Sequence, residues 1–166
     1  MVEAPLRIAL TGDTHMPKGA RRLPDRCLEL LAEADLIVHT GDFSERSVLD
    51  QLRGFGRVLA VHGNVDSDEL RNELPERITV DLDGVGLGLV HDAGPARGRI
   101  ERLRREFPEA DAVVFGHSHL PLHERDGDFQ IFNPGSPTER RRAPTRTMGL
   151  ATASGGAISF EHVGLT

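Results

Sequence analysis

The sequence predicts an α/β fold with two mixed β-sheets in the middle and helices on the outside. Two observations lead to this prediction. Apolar strand segments alternate with amphipathic helices through the first half of the 166 residues, and short strands joined by hairpin turns follow in the second half. We expect a single domain covering residues 1–166, because a chain of this length is long enough to bury its own core.

The first half is predicted to form a parallel sheet. The expected strands are residues 6–11, 36–40 and 57–61, and the expected helices are residues 24–34 and 44–53. Pro24 suits the first position of a helix, and Ser44 is expected to cap the second helix. Helices between strands allow crossovers between parallel strands, which are right-handed in nearly all proteins.

The second half is predicted to form hairpins around a further helix. The pair Asp83-Gly84, between Arg77–Leu82 and Val85–Val90, is typical of a hairpin turn. The other expected elements are a helix at residues 95–106, a strand at 112–115, and hairpin strands at 122–125 with 129–132 and at 147–153 with 157–163. Hairpins that follow crossovers indicate a second, mixed sheet packed on the first.

The composition favours a cytoplasmic protein that binds neither duplex DNA nor a membrane. The formal net charge is −6, and there is no Trp or Tyr to stack on bases, whereas nucleic-acid binding relies on basic and aromatic side chains. No apolar run approaches the roughly 20 residues of a membrane span, and the N-terminus is too short and acidic for a signal peptide. Cys27, the single cysteine, is expected to be a packed thiol on the first helix.

Polar clusters follow the predicted strand ends, where parallel sheets place their ligand sites. They are Gly12-Asp13-Thr14-His15, Gly41-Asp42, Gly63-Asn64-Val65-Asp66, His91 and Gly116-His117-Ser118-His119. Carboxylate, imidazole and carboxamide donors without a thiolate suit Mn, Fe, Co, Ni or Zn. In Asp13-x-His15 and His117-x-His119, residues i and i+2 of an extended segment would point to the same side. Seven donors are too many for one tetrahedral ion and suit two divalent ions that share a carboxylate and a water.

This ordered set resembles the calcineurin-like metallophosphoesterase superfamily, whose pattern is D-x-H, G-D, G-N, H and G-H-x-H. The length, and Asn133-Pro134-Gly135-Ser136 after the last histidine pair, look most like its compact bacterial and archaeal branch of small phosphodiesterases. The resemblance covers the chain from Leu6 to about Val163. It implies a four-layer α-β-β-α sandwich.

The resemblance also implies the role of each ligand. The implied ligands are Asp13, His15 and His119 for the first metal and Asn64, His91 and His117 for the second, with Asp42 bridging both. We expect two divalent ions, with Mn²⁺ favoured, and hydrolysis of a small phosphate ester by a hydroxide that bridges the metals. A phosphodiester is the favoured substrate, and a phosphomonoester is the alternative.

The chain departs from the family pattern at two places. Val65 stands where many family enzymes have His or Cys, so the leaving group must be good or be protonated by water or another side chain. His62 precedes the Gly-Asn cluster and is a candidate for that proton donor. His91-Asp92-Ala93 replaces a His-Gly-His motif, and Asp92 is better explained as a turn residue than as a partner of a ligand. The catalytic candidates are therefore Asp42, Asn64, His91 and His62.

Several residues and functions keep more than one interpretation. His39 is expected in the core, Asp66 as an orienting residue, and Asn133 and Ser136 as residues that fix a turn. Arg141 and Arg142 either clamp phosphate or are solvated loop charges. A non-catalytic adaptor, like the retromer subunit that shares this fold, is the competing function. A nuclease of the same superfamily is a third possibility, but such chains usually carry extra DNA-binding domains, for which we expect no room in these 166 residues. A homodimer or homotetramer is compatible with the resemblance.

Overall fold

The computed structural model describes residues 4–165, which contain ten strands and four helices. In chain order these are β1 Leu6–Thr11, α1 Asp25–Glu33, β2 Leu36–His39, α2 Arg46–Arg53, β3 Val58–Ala60, α3 Asp68–Glu73, β4 Arg77–Leu82, β5 Val85–Val90, α4 Arg99–Glu106, β6 Ala112–Val114, β7 Leu122–Asp126, β8 Phe129–Asn133, β9 Arg146–Ser154 and β10 Ala157–Leu165. None of these four helices is both long and apolar enough to cross a bilayer.

The strands form two mixed sheets, as the sequence predicts. The first has the order β10-β9-β1-β2-β3, with β1, β2 and β3 parallel, and the second has the order β4-β5-β6-β8-β7. The expectation that the late hairpins build only the second sheet is wrong for β9 and β10. Strand β9 pairs antiparallel with β1. Since β1 is apolar on both faces, its free edge needs a neighbouring strand that buries it.

Side-chain alternation along the strands produces the predicted four-layer α-β-β-α sandwich. In β1, Ile8 and Leu10 point to the core between the sheets, where they meet Leu87, Val114 and Phe132 of the second sheet. The residues between them point outward, because successive strand residues face opposite sides. The outer face of the first sheet is covered by α1, α2 and α3, and that of the second by α4.

Three helix boundaries differ from the sequence prediction, each for a local reason. Pro24 is the N-cap of α1 rather than its first residue. Ser44 does not cap α2, because its φ is 83° and the helix begins after Glu45. Helix α4 begins after Gly98 rather than at residue 95. The Arg102 guanidinium donates to the carbonyls of the loop that precedes α4, which keeps that loop out of the helix.

Helix α3 was not predicted from the sequence. It has six residues, too few for an apolar periodicity to be recognised. Its start is nevertheless encoded, because the Ser67 side chain accepts a hydrogen bond from the Leu70 N–H, which is an N-cap contact. Ser67 followed by two acidic residues is the signal that could have identified it.

Backbone hydrogen bonds join the loops at the carboxyl ends of the strands. The Asp13 N–H donates to the Gly41 carbonyl at 2.9 Å, and the His15 N–H donates to the Asp42 carbonyl at 3.0 Å. Across the second sheet, the Gly116 N–H donates to the His91 carbonyl at 2.9 Å. These bonds bring the polar clusters of different strands to a single rim of the sandwich.

Candidate metal centre

Two groups of convergent donors lie at this rim. Asp13, His15 and His119 form one group, and Asp42, His91 and His117 form the other; within each group the donor atoms lie within 4.8 Å of one another. In the first group, the Nε2 atoms of His15 and His119 are 3.1 Å apart. In the second, His91 Nε2 and His117 Nδ1 are 3.3 Å apart. Imidazole nitrogens approach this closely where a cation or a shared proton sits between them.

Asp42, a member of the second group, also faces the first group. Its Oδ2 atom is 3.6 Å from His15 Nε2 and 3.2 Å from His91 Nε2. Its Oδ1 atom accepts a hydrogen bond from the Val65 N–H at 3.0 Å. One carboxylate oxygen is therefore held by backbone, while the other faces a donor of each group.

Asn64 joins the second group. Its Oδ1 atom lies 3.0 Å from His91 Nε2 and 3.3 Å from His117 Nδ1. The structure thus brings together all seven residues that the sequence singled out as metal ligands. His62 stands outside both groups, but it lines a groove of about 370 Å³ together with Asn64, His91 and His117.

The backbone of the clusters is left-handed rather than extended, which corrects one step of the sequence argument. Positive φ angles occur at five of the seven donors, namely Asp13 (50°), His15 (45°), Asp42 (62°), His117 (75°) and His119 (64°). Non-glycine residues rarely adopt this conformation, and it concentrates at functional sites. The paired side chains do converge, but tight loops after the strand ends produce the convergence, not the two-residue period of a strand.

Glycine beside the donors is required by close packing. At Gly63, a Cβ atom would overlap the carboxylate of Asp42. Gly41 has a φ of 104°, and a Cβ there would lie 2.7 Å from the backbone nitrogen of Gly63. The two loops can approach each other, and so present Asp42 beside Asn64, only because neither glycine carries a side chain.

The tautomer of His91 can be assigned from its partners. Its Nδ1 atom lies 2.9 Å from the carbonyl oxygen of Thr40, which can only accept, so Nδ1 carries the proton. In the neutral ring, the lone pair is therefore on Nε2, the atom that faces the other ligand residues of the second group. This is the orientation that an imidazole ligand needs.

The electrostatics of the two aspartates fit a bound cation. Asp13 is fully buried, its Oδ2 atom has no hydrogen-bond partner among the described residues, and burial raises its pKa to about 7. For Asp42, burial is outweighed by the hydrogen bond and charge of His91, which lower its pKa to about 2. Burial alone would lower the pKa of His91, but the hydrogen bond to Asp42 outweighs burial, and the pKa of His91 is raised. Buried carboxylates beside imidazole nitrogens form a donor set suited to divalent ions.

Asp66 organises the second group without belonging to it, which agrees with its predicted orienting role. Its carboxylate accepts three backbone hydrogen bonds, from the N–H groups of Asp42 (3.0 Å), Ser44 (3.0 Å) and Gly63 (2.6 Å). These contacts use both oxygens of Asp66 and fix the loop after β2 against the loop after β3.

Two charged residues at the site were missed by the sequence analysis. Arg71 donates to the carbonyls of Asn64 at 2.6 Å and Asp66 at 3.2 Å. Glu139 places Oε2 3.5 Å from His119 Nδ1 and 3.0 Å from the Arg21 guanidinium. No local pattern marks Glu139, because it lies in an irregular segment and its partners are far away in the sequence.

His39 is a satisfied core residue, as predicted. Its ring stacks on Phe43 with centroids 3.6 Å apart. Its Nδ1 accepts from the Gly41 N–H at 3.0 Å, so Nε2 carries the proton and donates to Thr14 Oγ1 at 3.1 Å. Burial lowers the pKa of His39 to about 3. The neutral ring of His39 therefore supports the loops that carry Asp13 and Asp42.

The predicted turn residues also have the contacts expected of them. Asp92 accepts from the Gly94 N–H at 2.8 Å, which is a turn contact. Asn133 accepts from the Gly135 N–H at 2.9 Å and donates to the Gly116 carbonyl at 3.2 Å. The Ser136 hydroxyl oxygen accepts from the Thr138 N–H at 3.2 Å and from the Glu139 N–H at 3.0 Å, which are turn contacts. Cys27 is buried, and burial raises its pKa to about 12, as expected for a packed thiol.

Comparison with known proteins gives matches over most of the chain. The calcineurin-like phosphoesterase superfamily domain matches residues 6–156. A probable metallophosphoesterase of Methanocaldococcus jannaschii is 33% identical over 137 residues, which are 81% of this chain and 69% of that protein. The phosphodiesterase YfcE of Escherichia coli K12 is 28% identical over 154 residues, covering 79% of each.

The structure of wild-type Vps29 from Entamoeba histolytica complexed with Zn²⁺ has the same fold. Its TM-score is 0.75 at 22% identity, with 97% of this chain and 100% of that chain covered. At this identity the likeness concerns the fold alone, whereas the family match rests on the sequence. The chain therefore belongs to the calcineurin-like phosphoesterase superfamily, a family of metal-dependent phosphoric ester hydrolases.

Proposed function

We propose that this protein is a phosphodiesterase with a binuclear metal centre. Asp13, His15 and His119 would hold one divalent ion, Asn64, His91 and His117 the other, and Asp42 would bridge them. The observation that carries the proposal is that Asp42 Oδ2 faces both donor groups, 3.6 Å from His15 Nε2 and 3.2 Å from His91 Nε2. The donor set has no thiolate and suits Mn²⁺, Ni²⁺, Fe²⁺, Co²⁺ or Zn²⁺, and membership of the calcineurin-like family makes Mn²⁺ our preferred ion.

When bound, two divalent ions supply an activated water as nucleophile and stabilise charge on the phosphoryl oxygens. The protein orients the groups around them. Thr40 fixes the ring of His91, and Val65 fixes the carboxylate of Asp42 through its backbone N–H. Asn64 is exposed at the groove, where its amide can donate to a phosphoryl oxygen as negative charge develops.

Two grooves lined by His117 favour a diester over a monoester. The groove with His62 and Asn64 has a volume of about 370 Å³. His117 also lines a second groove of about 540 Å³, together with Arg141 and Arg142. A diester carries a substituent on two sides of phosphorus, and each groove can take one.

Protonation of the leaving group is assigned to His62. Val65 is 46% exposed and has no proton to give, whereas His62 lines the groove beside Asn64 and His117. The test is His62→Gln, assayed with aryl phosphodiesters whose phenols differ in acidity. We expect a loss of about 10-fold or more with the poorest leaving group and little change with p-nitrophenol. An equal loss with every ester would exclude the role.

An adaptor function is the competing candidate, because Vps29 shares the fold and one Vps29 structure contains Zn²⁺. Metal binding alone therefore does not distinguish an enzyme from an adaptor. The surface does favour the enzyme. Among the described residues, Val65 is the single large apolar side chain that is exposed, whereas protein-binding surfaces present contiguous apolar patches.

The decisive test is turnover of bis-p-nitrophenyl phosphate by the purified protein with Mn²⁺, Ni²⁺, Zn²⁺ or a chelator. We expect metal-dependent release of p-nitrophenolate. Changes at residues that only orient ligands cost 10–100-fold, so Asp42→Ala and His117→Ala should lose at least about 100-fold. His123→Ala, in an exposed histidine of β7, is the matched control. Metal binding without turnover of any phosphodiester would favour the adaptor.

A further inference from the structure

The basic side chains around the rim differ in whether other groups already hold them. Arg21 pairs with a carboxylate at 3.0 Å, Arg71 donates to two backbone carbonyls, and Arg77 lies over an aromatic ring. Within residues 4–165, no side-chain hydrogen bond or ion pair holds Arg141 or Arg142, and both are exposed. These two guanidinium groups are therefore available to a ligand.

A closed turn presents them together. The Ala143 N–H donates to the Arg140 carbonyl at 2.8 Å, and the Arg140 guanidinium donates back to the Ala143 carbonyl at 3.1 Å. Arg141 and Arg142 occupy the two corner positions, and Arg141 has a φ of 46°. A non-glycine residue held in this conformation is uncommon outside functional sites and tight turns.

The segment before the turn is fastened to the loop that carries the first donor group. The Ser136 hydroxyl donates to the Asp13 carbonyl at 2.8 Å, and the Thr138 hydroxyl donates to the Thr14 carbonyl at 2.7 Å. The position of the arginine pair is thus fixed relative to the metal centre.

The space in front of the pair is a groove of about 540 Å³. It is lined by His117, Ser118, Leu120, Arg141 and Arg142. Ser118 Oγ accepts from the Leu120 N–H at 3.2 Å and from the Asn133 amide at 3.1 Å. Both bonds use oxygen lone pairs, so the hydroxyl proton of Ser118 remains free to donate. The groove therefore offers two guanidinium groups and one hydroxyl donor beside the side chain of Leu120.

We propose that this groove is an anion subsite that binds a second phosphate on one ester arm of the substrate. The inference rests on the proposed phosphodiesterase function and deepens it by naming a substrate class, phosphodiesters that carry a second phosphate on one ester arm. The reacting phosphorus lies at the donor groups, and the remote phosphate accepts from Arg141, Arg142 and Ser118. Guanidinium groups suit phosphate because they donate in a planar fork.

Binding measurements test the subsite independently of turnover. The probes are thymidine 3′-phosphate and thymidine 3′,5′-bisphosphate, which differ only in the remote phosphate. Each is titrated by calorimetry into the Mn²⁺-loaded protein at low ionic strength, because exposed ion pairs are screened by salt. We expect the bisphosphate to bind about 10-fold more tightly to the wild type. The double variant Arg141→Gln/Arg142→Gln should bring the ratio of the two affinities to about 1.

Arg105→Gln is the control for loss of positive charge, because Arg105 is an exposed arginine of α4 outside both grooves. It should keep the wild-type ratio. Equal affinities of the two probes for the wild type would overturn the subsite. So would a double variant that keeps the preference, or one that loses equal affinity for both probes, since the pair would then hold the reacting phosphate. Absence of phosphodiester turnover, with the binding preference intact, would instead overturn the proposed catalytic function.

Discussion

The carboxylate of Asp66 accepts a hydrogen bond from the backbone N–H of Asp42 at 3.0 Å, and this contact joins two loops of the metal centre. The same carboxylate also holds Ser44 and Gly63 by their N–H groups. Asp42 can therefore face both donor groups because Asp66, which belongs to neither group, fixes its backbone.

Asp66→Asn is expected to weaken both the fold and the metal centre. The amide loses the negative charge and offers one acceptor oxygen to three N–H donors, so we expect a loss of about 2–3 kcal/mol in the free energy of unfolding. Mn²⁺ affinity should fall by about 10–100-fold. Chemical denaturation and calorimetric titration measure the two effects. Asp68→Asn, in the exposed first residue of α3, is the control, and equal losses in both variants would contradict the assignment.

Val65→His is expected to supply the leaving-group acid that the chain lacks at this position. Val65 is 46% exposed, so the larger side chain displaces no core contact. Histidine also retains the backbone N–H that donates to Asp42. The slope of log kcat/KM against the pKa of the leaving phenol should become shallower, with a gain of up to about 100-fold for the poorest leaving group. Val65→Leu is the control and should keep the wild-type slope. An unchanged slope in Val65→His would contradict the prediction that this histidine protonates the leaving group.

The sequence suffices for the fold class and the donor set because both depend on strong local signals. Apolar runs that end in glycine define β1, β2 and β6, and the side chains after them fall on one rim because parallel strands end on the same side. The sheet that the last hairpin joins could not be predicted in this way. Which sheet β9 joins depends on the free edge of β1, a tertiary property that no periodicity within β9 records.

The conformation of the ligand loops could not be predicted either. His117 and His119 both have positive φ, and nothing in Gly-His-Ser-His excludes an extended backbone. That conformation is imposed by contacts from elsewhere, such as the His117 N–H on the Asp13 carboxylate at 3.2 Å. Glu139 was missed for a similar reason, because its position beside His119 depends on a segment fastened to the β1 loop rather than on a motif.

Glu139→Gln is expected to weaken metal binding through His119. The carboxylate lies 3.5 Å from His119 Nδ1, on the side of the ring opposite His15, and Arg21 holds it there at 3.0 Å. A carboxylate at this position orients an imidazole ligand and raises its basicity, and its loss lowers metal affinity by about 10–100-fold. Calorimetric titration with Mn²⁺ measures the change.

The matched control for Glu139→Gln is Glu29→Gln on α1. Glu29 also pairs with an arginine, Arg26 at 3.1 Å, but it contacts no histidine of the centre. We expect wild-type Mn²⁺ affinity in this control. If both variants bind Mn²⁺ equally well, Glu139 serves only to hold Arg21 and does not act through His119.

His39 should make the metal-free protein less stable as the pH falls. Burial lowers its pKa from 6.5 to about 3, so between these values the unfolded chain binds a proton that the folded chain does not. The stabilisation is complete above about pH 6.5 and is lost toward pH 3, with a slope of about 1.4 kcal/mol per pH unit. His39→Gln should remove this slope, as measured by denaturation in chelator from pH 4 to 6.

Asp13, whose pKa is raised to about 7, contributes a slope of opposite sign. Because that contribution is present in both proteins, it cancels in the difference between their curves, and parallel curves would show that His39 does not titrate as proposed.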